Sequence, residues 1–456
     1  MNWKKSVLAI PLSLSLLIPT VATVSAHEGE NHAQNHPKVI SPASDLRATL
    51  DALLSEHAYL AVITMQKGID GAEDFEAAAG ALNQNTEDLS NAVASVYGEE
   101  GGKQFKEIWS SHIGYFVNYV TATAKNDQAG KDQALADLEE YKVKQAAFLD
   151  TATESRLKAA ELEEGLQVHI EQLLWAFDNY KAGDFEKTYE NLRHSMHHMF
   201  GTGKGLSWAI TDQFADKFEK TSVDTPAADL RADLNYLLSE HAAFAILAMQ
   251  KGISGAKDFE ASAAALNQNT EDLSKAVASV YGEEAGGQFK EIWGSHIGYF
   301  VDYVKATGAK DEAAKKQAIA ELEEYKVEQA KFLDAATEGR LKAADLEAGL
   351  QMHIDELLKA FNSYTEKDYA TTYENVREAY AHMFEVGAGL SGAIVDQHPE
   401  KFQEKMPTDM PKTGMGGASE QAGGLSSTMQ WLLVAMVSLI ILSAVTVRAA
   451  KMKPQE

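Results

Sequence analysis

The chain has 456 residues, a formal net charge of -26 and no cysteine. Its length allows two or three domains with real cores. The absence of cysteine excludes disulfides, thiolate metal sites and cysteine nucleophiles. The excess of 67 acidic over 41 basic residues argues against nucleic acid as a partner.

Residues 1–26 read as a secretory signal. Lys4 and Lys5 form the charged start, Val7 to Val21 the apolar stretch, and Val24-Ser25-Ala26 the small-residue cleavage site. Cleavage there makes His27 the new N-terminus. The polar segment 27–40 that follows carries His27, His32 and His36. The amine and ring of a terminal His27 form one chelate, and His32 or His36 can add a third nitrogen. This resembles the N-terminal histidine brace of periplasmic copper carriers. The competing reading is a flexible polar tail that binds metals adventitiously.

Residues 41–220 and 225–404 are two copies of one unit, aligned at a constant offset of 184 with 119 of 180 positions identical. This duplication predicts two similar domains joined by a short linker near Thr221–Asp224. Each unit is expected to be an all-α antiparallel helical bundle. Ser41-Pro42 is a helix start, and Leu46, Leu50, Leu53, His57, Leu60 and Thr64 follow amphipathic spacing. Gly68 to Gly71 breaks the chain before a second helix from about Asp74 to Tyr97. After Gly98 to Gly102, a third helix carries Phe105, Ile108, His112, Tyr115 and Tyr119 on one face. Further helices are expected over 131–150, 156–181, 184–199 and 204–215. Inside the second helix, Asn83 to Asp88 reads chiefly as a solvated polar face. Met65/Met249, Tyr119/Tyr303 and Trp109/Trp293 read as core.

Four histidines recur between units: His57/His241, His112/His296, His169/His353 and His198/His382. The first three fall on apolar stripes, and His198 sits at a stripe edge beside Met199. His57, His112 and His169 are 55 and 57 residues apart, each on the leading helix of a hairpin. Parallel leading helices can bring the three imidazoles to one height. Imidazole is the commonest metal ligand, so a converging set suits copper, with zinc or haem as the lesser choices. The alternative is a set of satisfied core histidines. Gly201 to Gly205 follows a helix and lacks the phosphate-loop pattern, so nucleotide binding is not expected.

Leu54-Ser-Glu-His57, Ala81 to Ser90 and Ile108-Trp-x-x-His112-Ile resemble segments of secreted Gram-positive helical-repeat proteins that are often named copper amine oxidase. The resemblance covers about 41–404 and implies copper as a ligand. The Asn-Tyr-Asp/Glu motif from which amine oxidases build their quinone is missing: Tyr119, Tyr180 and Tyr236 precede Val, Lys and Leu.

The linker 405–428 contains Met410-Pro411-Lys412-Thr413-Gly414, which resembles the sorting signal read by sortases of Gram-positive bacteria, with Met in place of Leu. An apolar transmembrane helix over 429–447 and a basic cytoplasmic tail over 448–456 follow. By this resemblance the membrane, and peptidoglycan joined at Thr413, are the chain's anchors. The functional expectation is a surface-displayed metal-binding protein. A structural or adhesive spacer is the second reading and an oxidase the third.

Overall fold

The computed structural model describes residues 37–403. The signal 1–26, His27, His32, His36, Met410, Pro411, Lys412, Thr413, Gly414 and the apolar segment 429–447 all lie outside the described residues. Within them the secondary structure is helical, and no helix there is long and apolar enough to cross a membrane.

The first repeat comprises α1 (Pro42–Asp70), α2 (Phe75–Ala124), α3 (Gln128–Ala152), α4 (Ala159–Ala182) and α5 (Phe185–Gln213). The second comprises α6 (Pro226–Ser254), α7 (Phe259–Tyr281), α8 (Glu283–Ala309), α9 (Glu312–Ala336), α10 (Ala343–Thr365) and α11 (Tyr369–Gln397). Local chemistry sets the ends. Ser41 and Ser44 form a capping box ahead of Pro42, satisfying amides that the first turn leaves open. Gly71 ends α1 with φ 60°, a left-handed conformation suited to glycine. Asp127, Asp184, Asp311 and Asp368 cap α3, α5, α9 and α11 through their carboxylates.

Two boundaries differ from the sequence expectation. The glycine-rich break after α2's first half is a single-residue kink: Gly98 has φ 81° and ψ 168°, and Gly101 and Gly102 are already helical again. Ser90 Oγ donates to the Gly102 carbonyl across this kink at 3.0 Å. The break expected between 199 and 204 does not occur, because α5 continues through Gly201, Gly203 and Gly205. Gly203 is where α5 crosses α1: a Cβ there would lie 2.0 Å from Asp51 Oδ1.

Both repeats feed one continuous apolar core. They also meet through contacts that are reciprocal under the 184-residue offset. Arg193 donates through Nε and Nη2 to both oxygens of Glu240 at 2.9 and 2.8 Å, and through Nη2 to Asp272 at 2.9 Å. Arg377 makes the same fork on Glu56 (3.0 and 2.9 Å) and reaches Asp88 at 2.7 Å. Arg47 pairs with Asp229 at 2.7 Å, and Arg231 with Asp45 at 2.6 Å. Tyr189 donates to Asp258, and Tyr373 to Asp74. This is the pattern of an isologous dimer interface, made here within one chain. The linker belongs to it: Arg47 donates to the Val223 carbonyl, and the Ala43 amide to Thr221 Oγ1.

The polar run Asn83 to Asp88 is not simply a solvated face. Asn85 is fully buried and donates to Glu56 Oε2 at 2.7 Å, while Asp88 receives Arg377. Met65, Trp109 and Tyr119 are core residues, as are their counterparts Met249, Trp293 and Tyr303.

Asp51 breaks the symmetry, since its counterpart is Asn235. Both side chains are fully buried without a hydrogen-bond partner. Arg47 Nε lies 3.7 Å from Asp51 Oδ2, too far for a hydrogen bond. Burial outweighs Arg47, Arg231 and Lys204 and pushes the Asp51 carboxyl up to about 8. Between the ordinary carboxyl range and pH 8 the folded chain therefore holds a proton that the unfolded chain has released. Stability falls as pH rises through that window. Asp51→Asn should match the parent near pH 4 and exceed it by roughly 4 kcal/mol at pH 7, at 1.36 kcal/mol per unit. Denaturant midpoints measured from pH 4 to 8 check this, and a pH-independent difference would contradict it.

Candidate metal centre

The kink at Gly98 and the α3–α4 turn bring three helices of the first repeat around one point. His57 comes from α1, His112 from the second half of α2 and His169 from α4. All three are buried, and one nitrogen from each lies within 4.8 Å of the others. His57 Nε2 and His112 Nε2 are 3.2 Å apart. Ring centroids are separated by 5.2 Å (His57–His112), 5.7 Å (His57–His169) and 6.1 Å (His112–His169). The second repeat rebuilds the cluster from His241 on α6, His296 on α8 and His353 on α10, with Nε2 atoms of His241 and His296 3.3 Å apart.

The tautomer at the centre is set by the backbone. His112 Nδ1–H donates to the Trp109 carbonyl, and His296 Nδ1–H to Trp293. That leaves Nε2 of each ring as a lone-pair donor facing the cluster, an arrangement typical of metal-ligating histidine. His57 Nδ1 and both nitrogens of His169 have no partner, and the same holds for His241 Nδ1 and both nitrogens of His353. Buried polar atoms are ordinarily paired, so this concentration of unpartnered ring nitrogens is a departure that a ligand could satisfy. Around it, Tyr141 stacks on His112 at 4.6 Å and Trp109 lies 4.8 Å from His57. Trp109 Nε1 and Tyr141 Oη are likewise without partners.

Burial keeps these rings neutral. It pushes His57 and His169 well below the usual imidazole range, with neighbouring histidines adding to the effect. His112 is lowered to about 3 and His296 to about 4, each by burial and partly offset by its carbonyl bond. Neutral imidazole is the ligating form, so no net deprotonation is needed; the proton that His57 Nε2 shares with His112 Nε2 has to shift to the unpaired His57 Nδ1 before both Nε2 atoms can hold a metal.

A metal with nitrogen ligands at about 2.0–2.1 Å holds those nitrogens about 3.3 Å apart in a tetrahedron and about 3.5 Å apart in a trigonal plane. The 3.2 and 3.3 Å pairs have that bite. The donor set fits a metal that accepts imidazole; no carboxylate joins either cluster among the described residues.

His198 and His382 are outside the clusters. His198 Nε2 donates to the Gly165 carbonyl at 3.0 Å, and His382 Nδ1 bonds Glu356 Oε2 at 2.9 Å. Both face the α4–α5 and α10–α11 contacts rather than the cluster centre. Sequence spacing singled out the three rings that converge, together with His198 and His382, but it carried no sign of Tyr141 and Tyr325 as the unpaired hydroxyls stacked on His112 and His296. Comparison of the chain with protein-family models, curated proteins and solved structures gave no match.

Proposed function

We propose that the chain is an exported, cell-surface metal-binding protein that holds copper at two equivalent buried sites. His57, His112 and His169 form one, and His241, His296 and His353 the other. The observation that carries this reading is the paired recurrence of a neutral, sealed three-imidazole cluster with orphaned nitrogens. A structural histidine core has no need to leave three ring nitrogens per cluster unpaired. The signal-like residues 1–26, the sequence Met410 to Gly414, the apolar run 429–447 and the basic tail 448–456 support display on a Gram-positive surface. Sealed sites suit storage or delivery, because the ion is held away from solvent and from bulky substrates. The polar tail with His27, His32 and His36 is a capture site for the same ion.

The test is copper stoichiometry of the full chain, purified untagged, with and without residues 27–36. Two ions tighter than micromolar per chain should persist after the deletion. Loss of both with the tail would move the function to the tail, and no ion above micromolar affinity would leave the spacer reading.

A further inference from the structure

We propose that each triad selects copper as the monovalent ion, Cu(I), and rejects divalent Zn(II) and Cu(II). This rests on the metal-binding reading above and goes on to the charge and coordination of the ion.

The first argument is charge. All three ligands of each site are uncharged, and no carboxylate belongs to either cluster among the described residues. The rings seen in contact with His57 and His112 are Trp109, Phe116 and Tyr141, also uncharged. Glu56 adjoins His57 in sequence, but its carboxylate is held by Arg377 and Asn85. Glu240 is likewise held by Arg193 and Asn269. An ion entering the site therefore brings its full charge into the core. The cost of burying charge scales with its square, so a divalent ion is penalised roughly four times as heavily as a monovalent one.

The second argument is coordination number. Zn(II) completes a tetrahedron with a fourth protein ligand, or with a water at an open position. The remaining recurring imidazoles are committed elsewhere, His198 to the Gly165 carbonyl and His382 to Glu356. The unpartnered hydroxyl of Tyr141, whose ring stacks on His112, is a neutral phenol and brings no counter-charge. The cluster histidines are at most 3% exposed, so neither site opens to solvent. Cu(I), a closed-shell ion, is satisfied by three neutral nitrogens in a plane. Three imidazoles from three separate helices supply that set without a fourth donor or a counter-charge. The second repeat has the same ligand set at an offset of 184 residues. Its surroundings differ in one charge: Glu356, buried one turn after His353 and bonded to His382, replaces Gln172, so the charge argument is strongest for the first repeat.

The experiment uses the full chain carrying His27→Asn, His32→Asn and His36→Asn, so that tail binding is silent. It is titrated under anaerobic conditions with chelator-buffered Cu(I), then with Zn(II) and Cu(II) separately. Two Cu(I) ions per chain are expected, retained against a hundredfold excess of Zn(II). X-ray absorption should show three nitrogen neighbours and no oxygen. Filling of both sites by Zn(II) or Cu(II) at matching or tighter affinity would overturn the selectivity while leaving the metal-binding reading in place. Uptake of none of the three ions would overturn both.

Discussion

His112→Ala is expected to reduce tightly bound copper from two ions per chain to one, and His112→Ala with His296→Ala to reduce it to none. His112 is the ring whose tautomer the Trp109 carbonyl sets, and its Nε2 is 3.2 Å from His57 Nε2. Removing it leaves two ligands on separate helices, too few to hold an ion against micromolar competition. The two triads sit in different repeats and share no residue, so loss at one should leave the other filled. The control is His198→Ala with His382→Ala, which should keep both ions, because these rings bond to Gly165 and Glu356 rather than to the cluster. Metal analysis gives the count, and circular dichroism shows whether the helices survive the cavity. Copper should also raise the thermal midpoint of the parent in a concentration-dependent manner, and the double variant should lose that response. Retention of two ions by the double variant would show that the histidines serve packing alone.

The largest stability effect is expected at the inter-repeat arginines. Glu240 is fully buried, and Arg193 satisfies both its oxygens. Arg193→Met leaves that carboxylate with Asn269 and Tyr236 as its remaining partners. Breaking a buried pair in this way costs about 3–5 kcal/mol, because an uncompensated charge stays in the core. Arg377→Met acts in the same way on Glu56, which retains only Asn85. Adding Glu240→Gln to Arg193→Met should recover most of the loss, since the stranded charge is removed as well. Guanidinium midpoints of the single and paired variants measure this. A loss below about 1 kcal/mol in Arg193→Met would mean that the pair behaves as an exposed one.

The same arginines show why the duplication does more than extend reach. Arg193 of the first repeat clamps the second, and Arg377 of the second clamps the first. Tyr59 stacks on Tyr380 between them, and Tyr380 donates to Ser55 at 2.7 Å. A single repeat would lose the second repeat's partners of Glu56, Tyr59 and Asp74, leaving Glu56 with Asn85 and Asp74 with Lys67. The chain is thus an internal pseudo-dimer, with an interface between the repeats in addition to the short linker that joins them.

Much was legible in the sequence alone, because it depends on neighbours within a turn or two. Ser41-Pro42 and Gly71 mark the ends of α1, since capping and positive φ are local requirements. The 3.6-residue period places His57, His112 and His169 on apolar stripes, and the offset of 184 residues shows that whatever forms once forms twice. Local pattern misled where long-range packing outweighed it. Residues 200–203, with Gly201 and Gly203, read as a break, yet they lie inside α5, where Gly203 allows α1 and Asp51 to come close. Asn85 and Asp88 read as solvated, yet they complete the charge clusters around Arg377.

The helical class, the repeat and the residue types available for a site follow from the sequence by itself. Which histidines meet was decided only in the tertiary structure. Periodicity says that a ring faces inward, but not the rotation of its helix or what stands opposite it. His198 and His169 both point toward the interior of their repeat. One finds the Gly165 carbonyl within reach and is satisfied there; the other finds only two more imidazoles. That difference comes from how α4 and α5 pack, and it separates a hydrogen-bonded histidine from one whose ring nitrogens are unpartnered.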